Sequence, residues 1–135
     1  MIELEIPLEP VAQSRPRFAR GVVYEDYKVK KFKRDCKWLA RKYFRGQPYK
    51  RDIPLHFEVI FYIGGKEVSK PDLDNLVKSL LDALEGVIYE NDCQVISITA
   101  AKVAFNGHPK ILIRTWELSK SSLNYSLEVL HAKKI

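Results

Sequence analysis

The chain is poor in the features that mark secreted, membrane-spanning or metal-stapled proteins. Its 135 residues include only two cysteines, Cys36 and Cys93, without CxxC spacing. We therefore expect both thiols to be reduced and packed, and predict neither a disulfide nor a zinc site. No apolar run approaches the roughly 20 residues of a membrane span, and the N-terminal segment lacks the basic flank and apolar core of a signal peptide. We expect a cytoplasmic location and no membrane partner.

Low-complexity segments, internal repeats and linkers are also absent. A chain of 135 residues with 46% hydrophobic and 30% charged residues is long enough to bury one core without staples. Residues 1–118 are predicted to form a single domain, followed by a tail over 119–135. In the tail, Leu123, Leu127 and Leu130 recur at helical spacing, which leaves a short helix or a frayed end open.

The periodicity predicts an α+β fold, a small mixed β-sheet with helices packed against it. Strands are predicted over residues 2–8, 55–63, 94–105 and 111–118, and helices over about 25–45 and 72–85. Residues 11–24 are predicted to be a loop, because Pro16 and Gly21 interrupt them. The last two strands, joined by the sequence NGHPK, are predicted to pair as a hairpin.

Charge is distributed unevenly along the chain. Residues 14–51 hold 14 lysines and arginines against three acids, whereas residues 72–92 hold six acids and only Lys78 as a base. A basic surface of this size attracts polyanions, of which nucleic acid is the commonest, although a solvated helix face has the same composition.

The acidic stretch KPDLDN, residues 70–75, opens the second predicted helix and has three interpretations. Asp72 can cap the helix while Asp74 meets the helix dipole and pairs with Lys78. Asp72, Asp74 and Asp92 can instead supply carboxylate oxygens to Mg²⁺, if the chain after Gly86 returns Asp92 to the helix start. Metal-free acid and base catalysis by the pair is the third interpretation.

The basic surroundings favour the metal site. Carboxylates within a phosphate-gathering surface repel DNA unless a cation lies between them, so a passive DNA binder gains nothing from them. A phosphodiesterase needs them, since Mg²⁺ can polarise a phosphate, activate water and stabilise the leaving oxygen. Lys78, one helical turn beyond Asp74, is placed to meet a phosphate oxygen.

Together, KPDLDN, Lys78, DALEGVIYENDCQV and the upstream RPRF resemble the RusA family of Holliday-junction resolvases. The resemblance implies a RusA-like fold and a homodimeric, Mg²⁺-dependent endonuclease, with Mn²⁺ as a substitute, that makes paired nicks in four-way DNA. It also implies a bacterial or phage-derived, nucleoid-associated protein of recombination and repair. The implied catalytic residues are Asp72, Asp74, Asp92 and Lys78, the three aspartates being the metal ligands. Asp82, Asn75 and Asn91 are expected around them.

In one respect the chain departs from the family pattern, because Asn91 stands where an aspartate is common; we expect this to tune activity without abolishing it. Arg15, Arg17 and Lys70 are the expected DNA contacts, or merely solvated cations. Phe18, Tyr24 and Tyr27 can stack on bases, or pack in the core or an interface. His56, His108 and His131 share no spacing and are expected to be structural or exposed. A non-catalytic branched-DNA binder, a flap-type nuclease and a protein-interaction domain remain alternatives.

Overall fold

The computed structural model describes residues 1–65 and 68–119, which form the predicted α+β arrangement of one mixed sheet and two helices. In chain order the elements are β1 (Ile2–Ile6), β2 (Arg17–Ala19), β3 (Val22–Tyr24), α1 (Tyr27–Tyr43), β4 (Leu55–Gly64), α2 (Leu73–Leu84), β5 (Val95–Phe105) and β6 (Lys110–Glu117). A short 3-10 turn, Asp92–Gln94, leads into β5. Apart from its first residue, the predicted C-terminal tail lies outside the described residues.

The main sheet has the strand order β1-β6-β4-β5, in which β4 and β5 are parallel and the other neighbours antiparallel. The predicted hairpin of β5 with β6 is therefore wrong, because β4 lies between them. The connection from β5 to β6 instead crosses the end of β4 at Gly64. It passes so close that a Cβ at this position would lie 3.0 Å from Pro109 Cγ, which favours glycine there. A short linker favours a hairpin between the two strands that it joins. Here β4 lies between β5 and β6, because it pairs along both of its edges and contributes alternate apolar residues to the core.

Both helices pack on one face of this sheet, where the apolar stripes predicted by periodicity meet. Strand β4 buries Leu55, Phe57, Val59 and Phe61 completely or nearly so. The core is completed by apolar residues from the other strands and the helices, among them Leu4, Ile6, Phe32, Cys36, Ala40, Leu76, Leu80, Leu84, Ile111 and Ile113. Burial raises the pKa of Cys36 to about 12, which keeps this thiol protonated. Cys93, by contrast, is exposed, so the expectation that both cysteines are packed is wrong for it.

Residues 17–24, predicted to be loop, form a second, two-stranded sheet from β2 and β3. Its two-residue connection has positive φ at both positions, 53° at Arg20 and 76° at Gly21. This is the pattern of a tight hairpin turn, in which Asn-Gly is the usual signal. An arginine in the first position carries no such signal, which is why the sequence pattern missed the hairpin.

Two histidines lie in the described region. His56 is half-buried on the sheet, 2.9 Å from Ser97 Oγ through Nδ1 and stacked obliquely near Trp116, in keeping with a structural role. His108 is exposed, and His131 lies outside the described residues. Within the part of the chain that the structure describes, no helix is long and apolar enough to cross a membrane.

Candidate active site

Asp72 and Asp74 stand at the start of α2, as predicted, with both side chains exposed. Asp72 occupies the N-cap position, yet its carboxylate accepts no capping hydrogen bond from the backbone. Its side-chain contact is a 3.3 Å hydrogen bond donated by Asn75 Nδ2 to Oδ2. The interpretation of Asp72 as a capping carboxylate is therefore wrong, and its oxygens remain open to solvent.

Asp74 and Lys78 lie four residues apart on the exposed side of α2, where an ion pair was one of the interpretations. Among the ion pairs formed within residues 1–65 and 68–119, none joins these two side chains. Lys78 is exposed and lies on the same helical stripe as the exposed Asp74, one turn further along α2. The helix start thus presents two carboxylates and a lysine to solvent, with the exposed Lys70 just before them.

Asp92 lies at the other end of α2. The chain turns at Gly86, whose N–H donates to Tyr89 O over 2.7 Å. This turn keeps the chain close to the helix end. The N–H of Asp92 then donates to Glu85 Oε1 over 3.2 Å. Asp74 and Asp82 are eight residues apart in the helix, a separation of about 12 Å at 1.5 Å per residue.

The three aspartates therefore do not form one ligand set within a single chain. Asp92 is grouped with Asp82 and Glu85 at the C-terminal end of α2, while Asp72 and Asp74 are grouped at its start. Over residues 1–65 and 68–119, no three His, Cys, Asp or Glu side chains are placed to hold one metal ion. The condition on which a three-aspartate site depended, that the chain returns Asp92 to the helix start, is not met.

Asn91 and Gln94 fix the turn that carries Asp92. Asn91 Oδ1 accepts from Cys93 N over 2.8 Å, and Gln94 Oε1 accepts from Asn91 N over 3.0 Å, which together make a capping box. Gln94 is buried, and its Nε2 donates to the carbonyl oxygens of Lys50 and Ile53. Asn91 thus has a structural task that an aspartate oxygen could perform equally well.

Lys33, which the sequence pattern did not single out, neutralises part of the acidic group at the helix end. Its Nζ contacts Glu25 Oε1 and lies 3.1 Å from Asp82 Oδ2. Partial burial lowers the pKa of Lys33, but hydrogen bonds to Glu25 and Asp82 outweigh it and the net shift is upward. No local spacing could have identified this lysine, because Asp82 is 49 residues away in the chain.

The environment of Asp92 penalises its charge. Partial burial, then the neighbouring Glu85 and Asp82 carboxylates and a hydrogen bond with Asp82, raise the pKa of Asp92, against a smaller opposing effect of Cys93. Asp82, expected near the ligands, thus links Lys33 to Asp92. Lys37, one turn beyond Lys33, donates to Glu85 O over 3.0 Å and so meets the negative end of the α2 dipole.

The predicted DNA contacts have different surroundings. Arg15 is exposed, and Lys70 is exposed immediately before α2. Arg17 Nη2 lies 3.0 Å from Asp26 Oδ2, although its side chain remains 62% exposed. Exposed cations also line α1 and its C-terminal end, namely Lys28, Lys30, Lys31, Arg34, Arg41, Lys42 and Arg45.

Comparison with known proteins places these features in a family. Residues 7–115 match the family model described as "Endodeoxyribonuclease RusA". The chain is also similar to "Uncharacterized protein YqaN" of Bacillus subtilis (strain 168). The two are 27% identical over an alignment of 132 residues, which covers 82% of this chain and 92% of the relative. The match spans the helix start, the turn that carries Asp92 and most of the sheet. The chain therefore belongs to the RusA endodeoxyribonuclease family.

Proposed function

We propose that this protein is a divalent-cation-dependent Holliday-junction resolvase, which hydrolyses phosphodiester bonds by paired nicks in four-way DNA. The observation that carries the proposal is the start of α2, where Asp72 lacks the capping bond that its position offers and Asp74 is exposed beside it. Nuclease chemistry follows from the family, whereas the branched substrate and the roles of individual residues are proposed.

The donor set fits Mg²⁺ in part. Asp72 and Asp74 offer hard, solvent-accessible carboxylate oxygens, and Mg²⁺ in nucleic-acid enzymes is commonly held by one or two carboxylates, waters and substrate phosphate. Asp92 does not join them within one chain. We assign the cation to Asp72 and Asp74, with Mn²⁺ as a substitute. When bound, such a cation supplies Lewis acidity toward the scissile phosphate and lowers the pKa of water.

The side chains around this pair bind and orient the substrate. Lys78 donates to a phosphate oxygen of the strand to be cleaved, a charge-assisted contact that strengthens as negative charge develops. Asn75 holds one oxygen of Asp72 by its side-chain amide and so orients the carboxylate. Lys70 and Arg15 contact flanking phosphates.

We also propose that cleavage requires Asp92, which acts from the second acidic group. That group gathers Asp82, Glu85 and Asp92, with Lys33 as the cation that contacts Asp82. Three carboxylates against one shared ammonium leave excess negative charge, which a cation or an approaching proton would relieve. Asn91 positions Asp92 by capping the turn, and Asp82 lies near Asp92, where its negative charge adds to partial burial in raising the pKa of Asp92.

A homodimer is proposed because of the substrate. Four-way DNA has twofold symmetry, and one chain of this size cannot reach two opposed strands, so an isologous pair would place one site on each. Sedimentation should give a mass near twice the 15.7 kDa of the chain. A strictly monomeric protein that still cut both strands symmetrically would contradict this part of the proposal.

The substrate assignment is tested by incubating the protein with an immobile four-way junction, a flap and a linear duplex, each with Mg²⁺ or EDTA. We expect symmetric nicks in the junction alone, and only with Mg²⁺. Preferential cutting of the flap would assign a flap-type nuclease. Binding without nicks, in Mg²⁺ and in Mn²⁺, would identify a non-catalytic branched-DNA binder and refute the proposal.

A further inference from the structure

The β2–β3 hairpin is a separate ribbon whose strands are exposed throughout. Phe18 is 77% exposed and Val23, directly opposite it in the register, is 55% exposed. Directly opposed residues on an antiparallel pair lie on the same face, so the ring and the valine form one apolar patch. Within the described residues nothing covers this patch, although large exposed apolar side chains in a cluster commonly mark an interaction site.

The base of the hairpin is fixed to the rest of the molecule. Arg17 pairs with Asp26, whose Oδ1 also accepts from Lys28 N and so caps α1. The exposed patch is therefore carried on an anchored ribbon, and not on a segment without contacts. A partner that meets Phe18 would meet a preorganised surface, which lowers the entropic cost of binding.

The segment that enters the hairpin lies against the start of α2. Gln13 N donates to Asn75 O over 2.9 Å, and Ser79 Oγ donates to Val11 O. Asn75 is adjacent to Asp74 and bonded to Asp72. The hairpin is thus joined by direct contacts to the acidic end of α2, and DNA seated at that end would have the hairpin close by.

Charge and area both favour DNA over a second copy of the chain. Arg20 forms the tip of the hairpin, and Arg15 and Lys28 are exposed near its base. An isologous contact between two hairpins would bring these cations against their own copies, which costs free energy. One phenylalanine and one valine also bury at most a few hundred Å², well short of the roughly 800 Å² per partner of a stable interface.

We propose that Phe18 stacks on a base at the branch point of four-way DNA, while Arg20 contacts a neighbouring phosphate. In an open four-way junction, the bases at the branch lack a stacking neighbour on one side, and an aromatic ring can supply one whatever the sequence. The hairpin would then contribute the preference for branched over linear DNA. This inference rests on the proposed function, because it assumes a branched substrate.

The test compares Phe18→Ala, Phe18→Leu and Phe18→Trp with the wild type, in EDTA so that cleavage does not interfere. Affinities are measured for a four-way junction and for a duplex, together with the fluorescence of 2-aminopurine placed at the branch. Trp38→Ala is the matched control, since Trp38 is 62% exposed among cations but lies on α1. Circular dichroism and sedimentation establish that each variant keeps its fold and assembly.

We expect Phe18→Ala and Phe18→Leu to lower the ratio of junction to duplex affinity about tenfold, the loss of one stacked base, and Phe18→Trp to restore it. The control should leave the ratio and the branch-point fluorescence unchanged. Full junction preference in Phe18→Leu would refute stacking. Stacking would also be refuted if the preference were lost only in Phe18 variants whose dimer has dissociated. If the wild type cuts junctions selectively while Phe18→Ala is unaffected, only this inference fails; if the wild type has no junction preference, the proposed function fails too.

Discussion

Asp26 and Asp72 occupy the same position at the starts of the two helices, but only Asp26 behaves as a cap. Asp26 Oδ1 accepts from Lys28 N over 3.0 Å, whereas Asp72 accepts no such bond. The sequence permits either outcome, because an N-cap preference describes a residue type and not the rotamer it adopts. The uncapped carboxylate is what makes Asp72 available as a ligand.

This difference predicts unequal costs of truncation. Asp26→Ala should lower the free energy of unfolding by about 1 kcal/mol or more, through the lost cap and its surface ion pair. Asp72→Ala should cost roughly half of that or less, because it loses only a favourable charge near the helix dipole and one long hydrogen bond. Urea denaturation of both variants measures this directly, and a larger cost at Asp72 would show that its carboxylate caps the helix in solution.

Helix α1 does more than present the basic surface that its composition suggests. Lys33 and Lys37 face α2 and bind Asp82 and the carbonyl of Glu85. Periodicity predicted both helices to within about two residues, because their apolar stripes are local patterns. It could not predict these contacts, which join residues 48 or 49 positions apart.

The ion pair of Lys33 in α1 with Glu25, just before the same helix, should influence stability at acid pH. The hydrogen bond from Lys33 is the largest cause that holds the pKa of Glu25 below its ordinary value of 4.5. The folded chain then binds fewer protons than the unfolded chain, so this stabilisation is present above about pH 4.5 and is lost as the pH falls through the lower folded-state pKa. Melting temperatures of Glu25→Gln and the wild type should therefore converge on acidification below pH 4.5. A constant difference across that range would contradict the assignment.

The hairpin turn gives a second prediction for an element. Asn adopts positive φ more readily than Arg, so Arg20→Asn should preserve or slightly raise stability while it removes the cation at the tip. If Arg20 contacts one phosphate, the slope of log affinity for DNA against log salt should become shallower by about 0.9. Gel-shift titrations at several salt concentrations measure the slope, and an unchanged value would exclude a phosphate contact.

For the whole molecule, the sequence predicts the α+β class but not the order of the strands. Pairing of β6 with β4, and not with β5, depends on contacts between distant segments, and no pattern within β5 or β6 records it. The location of Asp92 had no such signal in the sequence. The eight residues from Leu84 to Asp92 could extend about 26 Å, further than the length of about 18 Å of the 12-residue helix α2. Asp92 stays near the end of the helix because the chain turns at Gly86 and the N–H of Asp92 bonds to Glu85.

The central claim is that the carboxylates at the start of α2 perform metal-dependent cleavage of branched DNA. The most direct measurement is the single-turnover cleavage rate of an immobile four-way junction by Asp74→Asn in Mg²⁺, beside Asp52→Asn. Asp52 is also an exposed aspartate, in the loop before β4, so its substitution matches the change in charge. We predict a loss of at least about a hundredfold for Asp74→Asn, with junction affinity retained or increased, and a near wild-type rate for Asp52→Asn. Cleavage by Asp74→Asn at the rate of the Asp52→Asn control would contradict the account.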